Sequence, residues 1–345
     1  MAHQILNTLY VMTQNSWVHL ENDTIRIDVE KEKRLQVPLH HIGSLIIFGN
    51  GMVSPALMGR CAEEGISLVF LDMNGRFKAR LEGPVTGNVL LRKAQYRLSE
   101  DDTFSVKTAR GIIAGKLKNS RTILMRGFRE SENDQDRKTL AGAAESLGFL
   151  IRSLPKITSI DVVRGIEGDA ARIYFSSLEC MIKSDFRNDF RMNGRSRRPP
   201  LDRFNTLISF LYSMVMNDCR SAIESVGLDP QVGFLHAIRP GRASLALDVM
   251  EEFRSPLADR LAITLINRGQ IHATDFIIRD GGAVELKEDS RKAVVVAYQE
   301  RKQEEIAHPL LDQKIPIGLI PQVQARFLAR SIRGEMEMYL PFLAK

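Results

Sequence analysis

The sequence predicts an α+β fold: a β-rich N-terminal domain, sandwich-like with one inserted helix, followed by an all-α domain that carries the chemistry. Three observations predict it. Short β-rich runs separated by turn residues fill 8–82. A Gly- and Pro-containing stretch, EGPVTGN, follows at 82–88. Beyond it, strand alternation gives way to long helical periodicities. The implied organisation is a β-domain over 1–82, suited to dimerisation, a linker over 83–90 and a helical domain over 91–345. A chain of 345 residues is long enough for both.

In the first domain, TLYVMT and WVHLE flank a Gln14-Asn15-Ser16 turn, and TIRIDVE alternates over Ile25, Ile27 and Val29 as a half-buried strand. LQVPL and SLIIFG follow as strands. Ser54-Pro55 is a helix start, with serine positioned to cap and proline in the first turn; the helix closes at Gly65. ISLVFLD reads as a buried strand, joined to RFKARLE through Asn74-Gly75. In the second domain, helical patterns cover about 88–99, 103–130, 136–154, 159–183, 202–226, 244–267, 284–306 and 320–337, with a polar loop at 183–200.

The composition is that of a soluble globular protein, 44% hydrophobic and 26% charged. No apolar run reaches the ~18 residues of a spanning helix, and the N-terminus lacks an export pattern. Cys61, Cys180 and Cys219 are scattered and form no C-x-x-C pair, which excludes a zinc cluster of that kind and points to a cytoplasmic setting. Net charge is +6, and its distribution is informative. Arg92, Lys93 and Arg97 share one helix; Lys107, Arg110, Lys118 and Arg121 recur at near-helical spacing; the polar loop holds Arg187, Arg191, Arg195, Arg197 and Arg198. Arg326, Arg330 and Arg333 form a stripe. Several such clusters favour the phosphates of a nucleic acid.

The chemistry centres on GFLHAIRPGRASLALDVMEEFR, 233–254. His236 precedes a Pro-Gly loop, and a helix opening near Ser244 carries Asp248 and Glu251 one turn apart on one face. Leu245, Val249 and Phe253 form the apolar stripe that would fix this face in place, while Glu252 points away as ordinary acidic surface. Imidazole and carboxylates together suit a divalent ion with open positions. A further acid, Glu167 in GIEGDAARIYF, is flanked by Gly168, Ala170 and Ala171, small residues that let another backbone approach.

The run GIEGDAARIYF, the basic loop ending RSRRPPLDRFNTLISFLYS, His236 and the D-x-x-E of Asp248 and Glu251 resemble, in this order, the CRISPR-associated endonuclease/integrase family, the spacer-acquisition subunit called CRISPR-associated protein one. LNTLYV, VSPALMGRCAEEGISLVFLDMNGRF and GNVLLRKAQYR are similar to its β-domain and first linking helix, most like the type I-C branch. The resemblance implies a metal-dependent DNA endonuclease and integrase, joining the 3′-OH ends of short double-stranded fragments to a CRISPR array repeat. It implies Mg²⁺ or Mn²⁺ on Glu167, His236 and an acid of the pair Asp248 and Glu251, with Glu251 the matching position and Asp248 the second acid of the face. Which of the two touches the metal stays open. In some members the matching position is Asp, so Glu251 reaches farther. Homodimers bridged by a small second acquisition protein are implied as partners, and no membrane. His236 reads as ligand in preference to general acid or base. Arg92, Lys93, Lys118, Arg121, Arg197, Arg198, Arg242, Arg254, Arg326 and Arg330 are the expected DNA contacts. A water-using nuclease on branched DNA, or a DNA-binding scaffold, would share parts of this pattern.

Overall fold

A computed structural model describes residues 8–83, 89–192, 194–311 and 313–344; most of the expected linker, 84–88, lies outside them. The described residues form two compact units, 8–83 with Arg291–Glu304, and 89–290 with 305–344.

The first unit holds β1 (Thr8–Val11), β2 (Trp17–Glu21), β3 (Thr24–Val29), β4 (Glu32–Pro38), β5 (Ser44–Phe48), β6 (Met52–Val53), α1 (Pro55–Glu64), β7 (Ser67–Leu71) and β8 (Phe77–Arg80). One sheet runs β1-β5-β7-β8, parallel except for the last pair; the other runs β4-β3-β2-β6. Leu45, Ile46, Ile47 and Phe48 are all buried, as a parallel strand covered on both faces requires. Asn22-Asp23 and Glu30-Lys31 both take positive φ, giving β2-β3 and β3-β4 turns whose twist suits antiparallel hairpins. Helix α1 begins as expected: Leu57 N donates to Ser54 Oγ at 3.2 Å, Pro55 sits in the first turn, and Gly65 ends it at φ +70°. Val11, Leu45, Ile47 and Leu68 of one sheet, Val18, Ile25 and Ile27 of the other, and Leu57 and Cys61 of α1 share one apolar layer.

The second unit contains α2 (Val89–Ser99), α3 (Asp102–Glu130), α4 (Asp134–Ser153), α5 (Ile160–Leu178), α6 (Ser184–Arg187), α7 (Arg203–Ser225), α8 (Ser244–Met250) and α9 (Arg260–Asn267). It continues with β9 (Phe276–Ile278), β10 (Val284–Leu286), the first residues of α10 (Glu288–Gln303), β11 (Glu305–His308), β12 (Gln313–Pro316) and α11 (Ile320–Ile332). Its longest helix, α3, is capped by Asp101, whose side chain accepts from Phe104 N at 3.1 Å. The body of α3 is buried through Ala109, Ile112, Ile113, Leu117, Ile123 and Leu124, and α4 and α5 pack against it.

The fold differs from the sequence reading in three places. The helical unit is not wholly helical: β9-β10 and β11-β12 are antiparallel hairpins, with strands too short for alternation to register. Arg291–Glu304, the body of α10, clusters with the β-rich unit rather than with the helical one. The expected helix 244–267 is three pieces, because Pro256 cannot donate to the ladder; Arg254–Asp259 winds as a π-turn between α8 and α9. No helix among the described residues is long and apolar enough to cross a membrane.

Candidate active site

Glu167 on α5, His236 in the loop before α8, and Glu251 just past α8 line one cavity of about 670 Å³. Leu245, Val249 and Phe253 are fully buried, so the apolar stripe anchors this segment as its spacing predicts. Gly233 brings the preceding loop onto α8: a Cβ there would stand 2.6 Å from Asp248 Oδ2 and 2.8 Å from the Ser244 backbone. Beside Glu167, a Cβ on Gly168 would meet nothing, while Ala170 and Ala171 form cavity wall. At Gly168 the absent side chain leaves open space, whereas Ala170 is buried.

Asp248 lies behind the wall, without exposure, and its carboxylate is already engaged. It accepts the backbone N–H groups of Phe234 (2.6 Å), Leu235 (2.9 Å) and His236 (2.9 Å), and stands 2.7 Å from His236 Nδ1. An acceptor-only carboxylate sets Nδ1 as the donor and leaves the Nε2 lone pair free. That nitrogen lies 3.9 Å from Glu251 Oε1. Asp248 thus orients the imidazole, and Glu251 is the member of the pair that faces the cavity.

Glu251 is 3% exposed and surrounded by cations. Lys116 Nζ is 2.7 Å from its Oε2, and Arg254 Nη2 is 3.0 Å from its Oε1. Burial opposes its ionisation, yet Arg254 and Lys116 outweigh burial and hold the carboxyl well below the usual range. The same Lys116 ammonium also pairs with Glu167. With it between the acids, the described residues do not bring three His, Cys, Asp or Glu donors to one coordination point. The lysine was missed from sequence, though it carries a signal: it falls on the buried stripe of α3, four residues after Ile112 and four before Ser120. A charge on an apolar stripe needs a partner.

The expected phosphate contacts divide. Arg197, Arg198, Arg242 and Arg254 line the same cavity, joined by Arg239, which the sequence reading passed over. Arg254 is mostly enclosed, held by Glu251 and stacked 4.6 Å over the Tyr212 ring, so it braces the site rather than reaching outward. Tyr212 in turn donates to Asp259 at 2.7 Å; burial pushes the Asp259 carboxyl up to about 6. Lys118 and Arg121 line a separate groove between α3 and α4. Arg92 and Lys93 on α2, and Arg326 and Arg330 on α11, lie at neither cavity, and Arg330 pairs with Glu335 at 3.2 Å. Two arginines of the basic loop turn inward: Arg187 forks onto Asp136 at 2.7 and 3.2 Å, and Arg195 bonds Asn205 at 2.6 Å.

Comparison with known proteins bears on this geometry. The family described as "CRISPR associated protein Cas1" matches residues 9–300. CRISPR-associated endonuclease Cas1 1 of Moorella thermoacetica is 51% identical over 341 residues, covering 99% of both chains. The chain belongs to the Cas1 family of CRISPR-associated endonucleases. Two solved structures share the Cas1 fold: a casposase bound to its integration product (TM-score 0.81, 22% identity, 97% of this chain and 92% of that one) and a Cas6-RT-Cas1–Cas2 complex (TM-score 0.81, 22% identity, 98% of this chain). This chain spans about a third, 36%, of the longer chain in that complex.

Within this Cas1 chain, Glu252 is no surface acid. It has no exposure and accepts from Tyr339 Oη (2.6 Å), Phe342 N (2.7 Å) and Gln324 Nε2 (3.1 Å). Side-chain direction alone put it on the far flank of Asp248, but that flank faces the segment after α11 rather than solvent. Burial pushes its carboxyl up to about 8, against the lowering pull of those hydrogen bonds. Folded, it keeps a proton that the unfolded chain gives up near 4.5. Its stabilising contribution is therefore complete below about 4.5 and lost as pH rises through about 8. Thermal melts of chelator-treated protein should fall in midpoint across that window, and Glu252→Gln should flatten the decline. Parallel curves for the two proteins would assign the pH dependence to other groups.

Proposed function

We propose that this cavity joins the 3′-OH ends of short double-stranded DNA fragments to a CRISPR array repeat by transesterification, and cleaves phosphodiesters when water replaces the 3′-OH. The observation that carries the reading is the shared ammonium: Glu167 and Glu251 are held around a single cation, with the free nitrogen of an oriented histidine beside them. Such a place suits a divalent ion as well as an ammonium. Oxygen and imidazole donors match Mg²⁺ or Mn²⁺, with Glu167, His236 and Glu251 as the residues that would hold it. When bound, the ion supplies Lewis-acid stabilisation to the oxygens of an in-line displacement.

The chain's own residues do the rest. Asp248 fixes the imidazole tautomer through Nδ1, so Nε2 is presented as a lone pair. Lys116, were it displaced from between the carboxylates, would keep its charge at the cavity wall, where it could donate to a phosphate oxygen. Arg197, Arg198, Arg239 and Arg242 surround the same space and can neutralise the scissile phosphate and its neighbours. In the joining step the 3′-oxygen bonds to phosphorus, the bond to the original 3′-oxygen breaks, and the proton of the attacking hydroxyl ends on the displaced oxygen. One phosphodiester replaces another, so no external energy source is needed.

The partners proposed are duplex DNA, a second copy of the chain, and a small second acquisition protein bridging two such dimers. The Cas1–Cas2 complex among the fold relatives supports the last, and the casposase on its integration product supports joining. The N-terminal runs favour the type I-C branch, and the scattered cysteines a cytoplasmic setting.

An assay with the protein, its second acquisition partner, a fragment with free 3′-OH ends and an array-bearing plasmid tests the reading. Glu251→Ala should lower joining and metal-dependent cleavage at least about a hundredfold, the scale of removing one electrostatic interaction with a transition state, while DNA binding persists. Asp169→Ala, an exposed acid two residues from Glu167, should stay near wild type. Cleavage without joining would favour a repair-type nuclease, and undiminished activity in Glu251→Ala would place the chemistry elsewhere.

Binding should separate from chemistry at the groove between α3 and α4. Lys118→Ala and Arg121→Ala together should weaken binding to every DNA sequence alike. The log–log salt slope should become shallower by about 0.9 for every DNA phosphate that the two side chains neutralise. An unchanged slope would remove these two residues from the DNA interface.

A further inference from the structure

The segment after α11 reaches both neighbours of the ion pair at the centre of the cavity. Tyr339 Oη and Phe342 N donate to Glu252, the residue after Glu251. The Phe342 ring stacks on Phe253, centroids 5.9 Å apart and planes 17° from parallel, and both rings are fully buried. Gln324 of α11 ties the segment to the same carboxylate, donating to Glu252 Oε2 at 3.1 Å, Tyr339 Oη at 2.8 Å and Leu340 O at 3.0 Å.

On α3 the segment meets the other half of the pair. Asn119, without exposure, donates to Glu252 O (2.9 Å) and Phe342 O (3.0 Å) and accepts from Ala344 N (2.8 Å). Pro341 packs against Gly115, the residue before Lys116; a Cβ on Gly115 would stand 2.6 Å from Pro341 Cβ and 3.3 Å from Glu252 Cγ. One turn earlier, Gly111 admits the Tyr339 carbonyl, 3.1 Å from where its Cβ would be. Neither Glu251 nor Lys116 touches the segment in any of these contacts, yet the residues beside each are fixed by it.

We propose that the segment Tyr339–Ala344 is a positioning element for the active site: by clamping Glu252 and Phe253 on one side and seating on Gly115 and Asn119 on the other, it sets the separation of Glu251 from Lys116 and Glu167. The inference rests on reading Glu251 as a site residue. It makes Gly115, Asn119, Glu252, Pro341 and Phe342 positioning residues, acting through their neighbours. A carboxylate 3% exposed has little freedom to recover its place by rotation once its own backbone shifts, so a small displacement of the segment is felt at the cavity.

Gly115→Ala isolates this effect. Alanine favours the helix over glycine, so α3 is not weakened, but the added methyl displaces Pro341. The turnover number for DNA cleavage and joining should fall about tenfold to a hundredfold, the cost of misplacing a reacting group by about 1 Å. KM and DNA affinity should stay within about twofold, because uniform binding is untouched. Gly115→Ala with Pro341→Gly, which removes the Pro341 atoms that the methyl would meet most closely, should recover most of the turnover. Phe342→Leu, which keeps an apolar side chain but loses the stacked ring, is a second route to the same split between kcat and KM should Gly115→Ala melt early. Wild-type turnover in both single variants, or no recovery in the double variant, overturns the inference. Glu251→Ala in the same assay keeps the two readings apart. If it is inactive while the segment variants match wild type, only the positioning role fails; if it is active, the site itself is wrongly placed.

Discussion

A carboxylate removed from water must have its charge balanced where it sits, and in this fold that requirement falls on Glu251. Burial alone would favour the protonated acid; Arg254 and Lys116 reverse the balance and keep it ionised. Much of the surrounding construction follows from supplying those cations at the right distance. Lys116 is carried by the apolar stripe of α3, Arg254 is braced against Tyr212, and Tyr212 is anchored by the buried Asp259. The same ammonium neutralises Glu167, so acids from α5 and from the end of α8, more than eighty residues apart in sequence, answer to one side chain of a third helix.

The neighbouring acids show how position along one short segment, on α8 and just past it, separates roles. Asp248 is saturated by backbone N–H groups and by His236, and acts on the cavity only through the imidazole it orients. Glu252 is turned into the core and stays protonated near neutral pH. Glu251 alone of the three opens on the cavity. Three carboxyls within five residues thus orient the imidazole, line the cavity and form an internal hydrogen-bond hub, distinguished by what each meets.

The architecture was largely legible in the sequence because its signals are local. The β-rich unit followed its turns and the Ser54-to-Gly65 helix, and α3, α4 and α7 appeared within a few residues of where periodicity put them. In the site, residue type and spacing marked His236 and the pair Asp248 and Glu251, the family resemblance marked Glu167, and the fold gathers Glu167, His236 and Glu251 around one cavity. What could not be read was which charges turn inward. Arg187, Arg195 and Glu252 look like surface residues until Asp136, Asn205 and Tyr339 are brought to them by tertiary packing. The break at Pro256 and the misplaced charge of Lys116 on an apolar stripe were visible, and carried more information than the periodicity around them.

The shared cation is the centre of this picture, and metal binding without DNA tests it most directly. Mn²⁺ titrations followed by electron paramagnetic resonance should show a site in the wild-type protein that Glu251→Gln and Glu167→Gln each abolish. Lys116→Met, which removes the competing ammonium but leaves the donors, should bind Mn²⁺ at least as tightly as wild type. Wild-type binding in Glu251→Gln, or loss of binding in Lys116→Met, would contradict the assignment of this place to a divalent ion.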